Sequence, residues 1–414
     1  MTKPWLLYGA NGYTGALIAT AAAEQGLRPI LAGRNKAAIE ALAGKLGLEH
    51  RVFGLEDAER AAAAIEGAAL VLHTAGPFSA TSEPMLTACL RSRAHYLDIT
   101  GEIAVFEACK ARDAEARARG VVVLPGVGFD VVPSDCLARA LAEALPGAVR
   151  LEMAFQALGS MSRGTLKTML EHIGRGVQVR RGGKIETIAA GSLQRTIEFS
   201  GKPRTVVAIG WGDVSTAYHS TGIGDITVSM AMPPGQLRGL KVLGLLAPLL
   251  RRPTVIRLLQ AIVGRAVHGP SEQVRESAHA ELWGQATAAD GRTVEGRLRT
   301  PEGYKTTVIT ALACVQRLLT DGAEAGYQTP SSAFGAGLVR GLPGFSLEIG
   351  GVRAGGRRSA GAPHVGRRRG GHARVVGTER LLREVSGEPG RALLFGGYAL
   401  AELGRGPRGR ERGL

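Results

Sequence analysis

Gly9-Ala10-Asn11-Gly12-Tyr13-Thr14-Gly15 combines residue types and spacing that suit one task, holding a pyrophosphate. Glycine lets the backbone turn sharply and approach a phosphate closely. A helix starting just behind such a turn offers N–H groups and a partial positive charge. The apolar run Pro4–Tyr8 before the turn and the alanine-rich stretch Leu17–Gln25 after it supply the strand and the helix that this chemistry needs. Gly9, Asn11, Gly12, Tyr13, Thr14 and Gly15 are therefore candidate cofactor-binding residues. The next strand, read at Arg28–Ala32, ends in Gly33-Arg34-Asn35. A site for NAD usually places Asp or Glu about 20 residues on, against the ribose 2′-hydroxyl. A guanidinium there pairs instead with a 2′-phosphate and stacks on adenine. Arg34, with Asn35 beside it, predicts NADP(H) over NAD(H); the competing reading of Arg34 is a solvated helix-capping residue.

Three later strand ends carry small residues that would admit a nicotinamide and its ribose. They are Thr74-Ala75-Gly76-Pro77, the segment Asp98–Glu102 with Gly101, and Gly126–Asp130 with Gly128, Phe129 and Asp130. A hydride donor also needs a proton source for the product. No Tyr-x-x-x-Lys pair stands at a suitable place, so the expected donors are Tyr218 and His219, from the polar cluster Trp211–Gly222. Tyr218 could protonate an enolate and His219 could do so near neutral pH; the rival reading makes His219 a hydrogen-bonded strand histidine. Tyr96 and Asp130 are further candidates, with Asp130 read first as a helix cap or loop anchor.

The elements that must position these residues alternate over the first 130 positions. Helices are expected near 37–46, 57–65, 83–91 and 102–119, and strands near 50–53, 69–73, 95–99 and 120–124. That rhythm implies a parallel sheet with right-handed crossovers, whose ligands bind beyond the carboxyl ends of the strands. From about 150 to 235 strands dominate, at 151–157, 185–189, 196–199, 205–209 and 226–232, with a helix at 164–173. A hairpin around Asp290-Gly291 and a helix at Lys305–Leu319 follow. The expected class is α/β: an N-terminal Rossmann-type parallel sheet, then a second α+β domain with a largely antiparallel sheet. The expected units are a nucleotide domain at 1–145, a substrate or dimerisation domain at 146–304, a C-terminal helical part at 305–345 packing back on the body, and an Arg/Gly-rich tail at 351–414.

The apolar stretch 236–268 is broken by Arg251-Arg252-Pro253, and neither half reaches the roughly 20 residues a bilayer span needs. Its bordering Arg and Lys suit a peripheral membrane contact; packing on the core or in a homodimer is the alternative. The formal charge of +15 resembles a nucleic-acid signal, but residues 351–414 hold 14 Arg and 5 Glu with no Lys or Asp, and so carry +9 of it. Such composition suits disorder, and nucleic acid is not the expected partner. Four scattered cysteines, without a C-x-x-C pair, argue against zinc and a disulfide scaffold. With no signal peptide expected either, the assignment is cytoplasmic and metal-free.

The glycine turn, His73–Phe78, Tyr96–Glu102 and Gly126–Asp135 together resemble the saccharopine dehydrogenase-like oxidoreductases, and among them the bacterial trans-acting enoyl reductases. Ser162–Thr165, Tyr218–Gly222, Trp283-Gly284 and Thr300–Tyr304 extend the resemblance over about residues 3–345. It implies a Rossmann domain, NADP(H) and an oxidoreductase that reduces acyl double bonds during complex-lipid assembly. The expectation is hydride transfer to a C=C, C=O or C=N bond of a small, apolar or acyl substrate. One alternative is a catalytically silent nucleotide-binding protein at a membrane surface. Another is a saccharopine-type amino-acid dehydrogenase, whose three substrate carboxylates would call for converging arginines.

Overall fold

The structure is a computed structural model that describes residues 4–157, 176–232 and 278–354. Its first layer is a seven-stranded, wholly parallel sheet. In chain order the strands are β1 (Trp5–Tyr8), β2 (Ile30–Gly33), β3 (His50–Val52), β4 (Leu70–His73), β5 (His95–Asp98), β6 (Val122–Leu124) and β15 (Gly326–Tyr327). Their spatial order is β15-β6-β5-β4-β1-β2-β3. β1, β2 and β4 are buried at every position, as strands covered on both faces must be. Leu7 pairs with Leu31 on one side and Leu72 on the other. The strand order reverses at β1, so β1 and β4 flank the crevice where open α/β sheets bind ligands.

Two crossover helices differ from expectation. α4 runs Phe78–Ser92 and begins well before Glu83, with Pro84 inside it. Its first amides, those of Phe78 and Ser79, both donate to the Glu102 carboxylate at 3.0 Å, a long-range cap that no local pattern announces. The single helix expected at 102–119 is two, α5 (Ile103–Ala111) and α6 (Asp113–Arg119). Arg112 separates them, and Lys110 and Asp113 place opposite charges at the two new termini, each favouring its helix dipole.

The second layer is a nine-stranded sheet. Its members are β7 (Ala148–Ala157), β8 (Val177–Arg181), β9 (Lys184–Ile188), β10 (Gln194–Phe199), β11 (Lys202–Ala208), β12 (Asp225–Ala231), β13 (His279–Ala288), β14 (Thr293–Pro301) and β16 (Ser346–Ile349). The path β10-β11-β12-β7-β13-β14-β16 is antiparallel except at β12–β7. β8 and β9 branch from β12, and β8 is a strand the sequence reading missed. The β13–β14 hairpin turns at Asp290-Gly291 as expected, with Gly291 at φ +85°.

Between the layers lies one continuous core. Helix α7 (Val132–Ala144) presents Leu137 and Leu141 to the glycines of β13 and β14, where any side chain at Gly284 or Gly296 would collide with them. Two glycines on one sheet face thus seat a helix that links the two layers. The polar cluster 211–222 is a helix, Asp213–Thr221, packed on α7, α5 and β12. The late helix Gly303–Thr320 packs against α1 (Tyr13–Glu24), and its Thr310 hydroxyl donates to the Val127 carbonyl at 2.9 Å. Beyond it the chain adds β15 to the first sheet and β16 to the second. No described helix is long and apolar enough to cross a membrane. The expected helix at 164–173, the stretch 236–268 and the tail beyond residue 354 lie outside the described residues.

Candidate cofactor site and adjoining cavity

Gly9 sits at φ +81°, and its amide donates to the Ala32 carbonyl at 2.8 Å. A Cβ on Gly9 would lie 2.8 Å from the Ala75 amide nitrogen. The Gly12 amide donates back to the Gly9 carbonyl at 2.9 Å, closing the turn. A Cβ on Gly15 would overlap that same carbonyl oxygen. Three of the turn's glycines are thus held by backbone contact, which leaves a shallow cradle at the start of α1. Gly12 is the N-cap of that helix, with no side chain to cap it, and the first turn holds no acidic residue. Such an end suits an anion. Asn11 leans toward Gly33, Tyr13 meets Tyr304 edge-on at 5.0 Å, and Thr14 opens the first turn of α1.

Arg34 stands exposed just past β2. The Tyr8 phenol is pushed up to about 12, first by burial and then by Glu56, while the Arg34 charge pulls it down. Arg34 is therefore within electrostatic reach of the end of β1. Asn35 has a different place: its side chain accepts the Ala38 amide at 3.2 Å and caps α2 (Lys36–Leu46). The capping role read for Arg34 belongs to Asn35.

The loops after β4, β5 and β6 converge. Thr74 donates to the Tyr8 carbonyl through both its amide and its hydroxyl, each at 2.8 Å, which draws Thr74 and Ala75 onto the glycine turn. Gly76 and Pro77 follow, joined by a cis peptide bond, and the Thr81 hydroxyl donates to the Ala75 carbonyl at 2.7 Å. Asp98 is fully buried and ties two loops together. Its carboxylate accepts from the Tyr96 hydroxyl (2.5 Å), the Thr100 amide (3.0 Å) and the Gly126 amide (2.8 Å). Burial raises it to about 6, and these three donors oppose the rise. Tyr96 is buried with its hydroxyl on Asp98, so it is an anchor and not a proton source.

Gly101 packs under Asp130, where a Cβ would meet Oδ2 at 2.7 Å. Gly128 packs on Thr307, whose hydroxyl accepts the Phe129 amide at 3.1 Å. Asp130 does not cap α7, whose N-cap is Val131 without a side-chain bond. Its carbonyl accepts from Trp211 Nε1 at 2.8 Å, and the protein around its carboxyl pushes that group up to about 7.

Tyr218 and His219 are not brought to these loops. They lie five and six residues along the helix that Asp213 opens, roughly 8–9 Å further down its axis. The Arg180 guanidinium covers the Tyr218 ring at 4.2 Å. His219 is in a helix rather than a strand, 3.5 Å from Glu107 and edge-on to Tyr327. Glu107, on α5, is held down to about 2 by His219, against burial, and further by Ser215 (2.6 Å) and Arg180 (2.7 Å). The two short bonds are the firmer restraint, because among the described residues His219 Nε2 has no hydrogen-bond partner. This network fastens β8 to α5 and engages both residues, with His219 also facing a polar cavity beside Lys110, Tyr327 and Thr329.

Asp213 is the group that the sequence reading missed. It is fully buried, and among the described residues neither carboxyl oxygen has a hydrogen-bond partner of good geometry. Ser134, beside it, directs its hydroxyl to the Val131 carbonyl at 3.1 Å. Burial pushes the Asp213 carboxyl well up, the neighbouring Ser134 hydroxyl opposes the rise, and the charges of Asp135 and Asp130 add to it. It lines a cavity walled by Phe129, Phe155, Trp211, Trp283, Met153 and Leu282. The Val214, Ala217 spacing could have revealed the helix; nothing local could have revealed an unpaired carboxyl.

Residues 5–124 match the saccharopine dehydrogenase NADP binding domain. Most of the first layer is thus similar to that domain, and the glycine cradle, the uncapped α1 terminus and Arg34 fit such a cofactor. A trans-acting enoyl reductase of Mycobacterium leprae is 34% identical over 138 residues, which cover 31% of this chain and 33% of the relative. A putative trans-acting enoyl reductase of Mycobacterium tuberculosis is 31% identical over 180 residues, covering 40% and 43%. The chain thus matches between a third and a half of the length of these relatives. Apo saccharopine dehydrogenase (L-Glu forming) from Saccharomyces cerevisiae superposes with a TM-score of 0.57 at 10% identity, over 84% of this chain and 100% of the other, and so shares the fold.

Proposed function

We propose that the protein is an NADP(H)-dependent oxidoreductase that reduces a C=C, or else a C=O or C=N, bond of an apolar acyl substrate. The names of the enoyl reductase relatives support the reaction class. The observation that carries the substrate class is the surface beside the β6 loop, where Phe129, Phe155, Trp211 and Trp283 gather with no Arg or Lys among the described residues. A tricarboxylate such as saccharopine would find no base on that wall.

The bound cofactor supplies hydride. Gly9, Gly12 and Gly15 make room for the pyrophosphate, with Asn11, Tyr13 and Thr14 around it, and Arg34 pairs with the 2′-phosphate. Thr74, Ala75, Gly76, Pro77, Gly101, Gly128 and Phe129 form the floor at the nicotinamide end. Asp130 holds a proton there near neutral pH and is the proton source in place of Tyr218 and His219. The test is NADPH oxidation with a neutral enoyl thioester, against saccharopine-type substrates. Turnover of the thioester is expected, falling about 100-fold in Asp130→Asn with NADPH affinity kept. Turnover of the amino-acid substrates alone would contradict the reading.

A further inference from the structure

The glycine turn behind β1 and the loop behind β6 bracket the half of the sheet edge that runs from the pyrophosphate cradle to the nicotinamide floor. The Gly303–Thr320 helix reaches both with its first two residues. The Tyr304 ring meets the Tyr13 ring edge-on, with centroids 5.0 Å apart, and Tyr13 is the first residue of α1, directly after the uncapped Gly12. One residue earlier, Gly303 lies against the Phe129 ring, where a Cβ would stand 3.6 Å from it. The Thr307 hydroxyl holds this second contact in place: it donates to the Gly303 carbonyl at 2.9 Å and accepts the Phe129 amide at 3.1 Å. Tyr304 is thus fixed beside both ends of the cofactor path by a segment far beyond the first layer's own helices. The end of its helix does not attract an anion. The buried Glu302 carboxylate accepts the Tyr304 and Lys305 amides at 2.8 and 3.1 Å, and its charge offsets the helix dipole. The open end of α1 draws the diphosphate instead. What Tyr304 offers is its half-buried aromatic ring.

We infer that Tyr304 is a binding residue for the nicotinamide nucleoside half of the cofactor, its ring forming an aromatic wall above the start of α1. The inference rests on the NADP(H) reading above. It adds that the two halves of the cofactor are held by different parts of the chain. The adenosine half needs only the glycine turn and Arg34, both within the first layer. The nicotinamide half is completed by the Gly303–Thr320 helix.

The test is isothermal titration of the full chain with NADPH and with 2′,5′-ADP, which carries the adenine and the 2′-phosphate but no nicotinamide. Tyr304→Ala removes the ring, and Tyr304→Phe keeps it. NADPH affinity should fall about tenfold in Tyr304→Ala, the scale of losing one aromatic contact to a base, while 2′,5′-ADP affinity stays within about twofold. Tyr304→Phe should bind NADPH within about threefold of the wild type, because the ring and not the hydroxyl makes the wall. Arg34→Ala, by contrast, should weaken both ligands, since both carry the 2′-phosphate. Retained 2′,5′-ADP binding also shows that the glycine turn of Tyr304→Ala is intact. Unchanged NADPH affinity in Tyr304→Ala overturns the inference. An equal loss for both ligands does so too, since the ring would then merely prop the glycine turn. A loss in Tyr304→Phe as large as that in Tyr304→Ala rules out the aromatic wall. In each of these cases a wild type that binds both ligands leaves the NADP(H) reading standing. A wild type that binds neither overturns that reading and the inference with it.

Discussion

Gly15 shows how much one missing Cβ can decide. It lies in the first turn of α1, where any residue could adopt the backbone, yet a Cβ there would overlap the Gly9 carbonyl oxygen. Gly15→Ala therefore forces the turn open rather than straining φ. The expected cost is about 1–3 kcal/mol of stability and at least about a tenfold loss of NADPH affinity, measured by thermal unfolding and by titration. A variant with full affinity would mean that the turn does not carry the pyrophosphate. Residue chemistry of this local kind is legible in sequence, because a strand, a glycine turn and a helix are contiguous. Arg34 is legible for the same reason. Asp98, Glu102 and Asp213 are not: their roles come from partners, or the lack of them, contributed by distant segments. The contacts of Tyr218 with Arg180 and of His219 with Glu107 were not legible either, because their partners come from β8 and α5.

Elements joined by buried charge set a pH dependence. Arg180 on β8 is almost wholly buried, and its guanidinium donates to Glu107 on α5, to the Val214 carbonyl and to the Gly183 carbonyl. Glu107 is lowered from 4.5 to about 2 in the folded protein. Its contribution to stability is thus complete above the unfolded value and is lost as pH falls through the folded one. Glu107→Gln is expected to lower stability by about 1 kcal/mol at neutral pH, a figure kept small because Glu107 is more than a third exposed. The Tm difference between wild type and variant should close as the pH is taken from about 4.5 toward 2. A difference independent of pH would place the effect in packing. β8 itself escaped the sequence reading because Val177–Arg181 ends in two arginines, and the burial of the first is conferred by α5 and the Asp213–Thr221 helix. The strands of the first sheet were legible because wholly buried parallel strands are short, continuous apolar runs.

The whole molecule brings one parallel sheet against one mixed sheet, and the chain crosses between them more than once. β15 returns to the first layer after the second has been built, and β16 then rejoins the second. Division into consecutive stretches of sequence could not convey this, since two residues of β15 give no periodic signal. The arrangement places the aromatic cavity of the second layer beside the loop that ends β6, on the side of the sheet where the glycine turn sits. Titration of the full chain with NADPH and NADH tests this account most directly. Selective binding of NADPH, reduced to the NADH level by Arg34→Ala, is the predicted result. Equal affinity for both cofactors, or binding of neither, would contradict it.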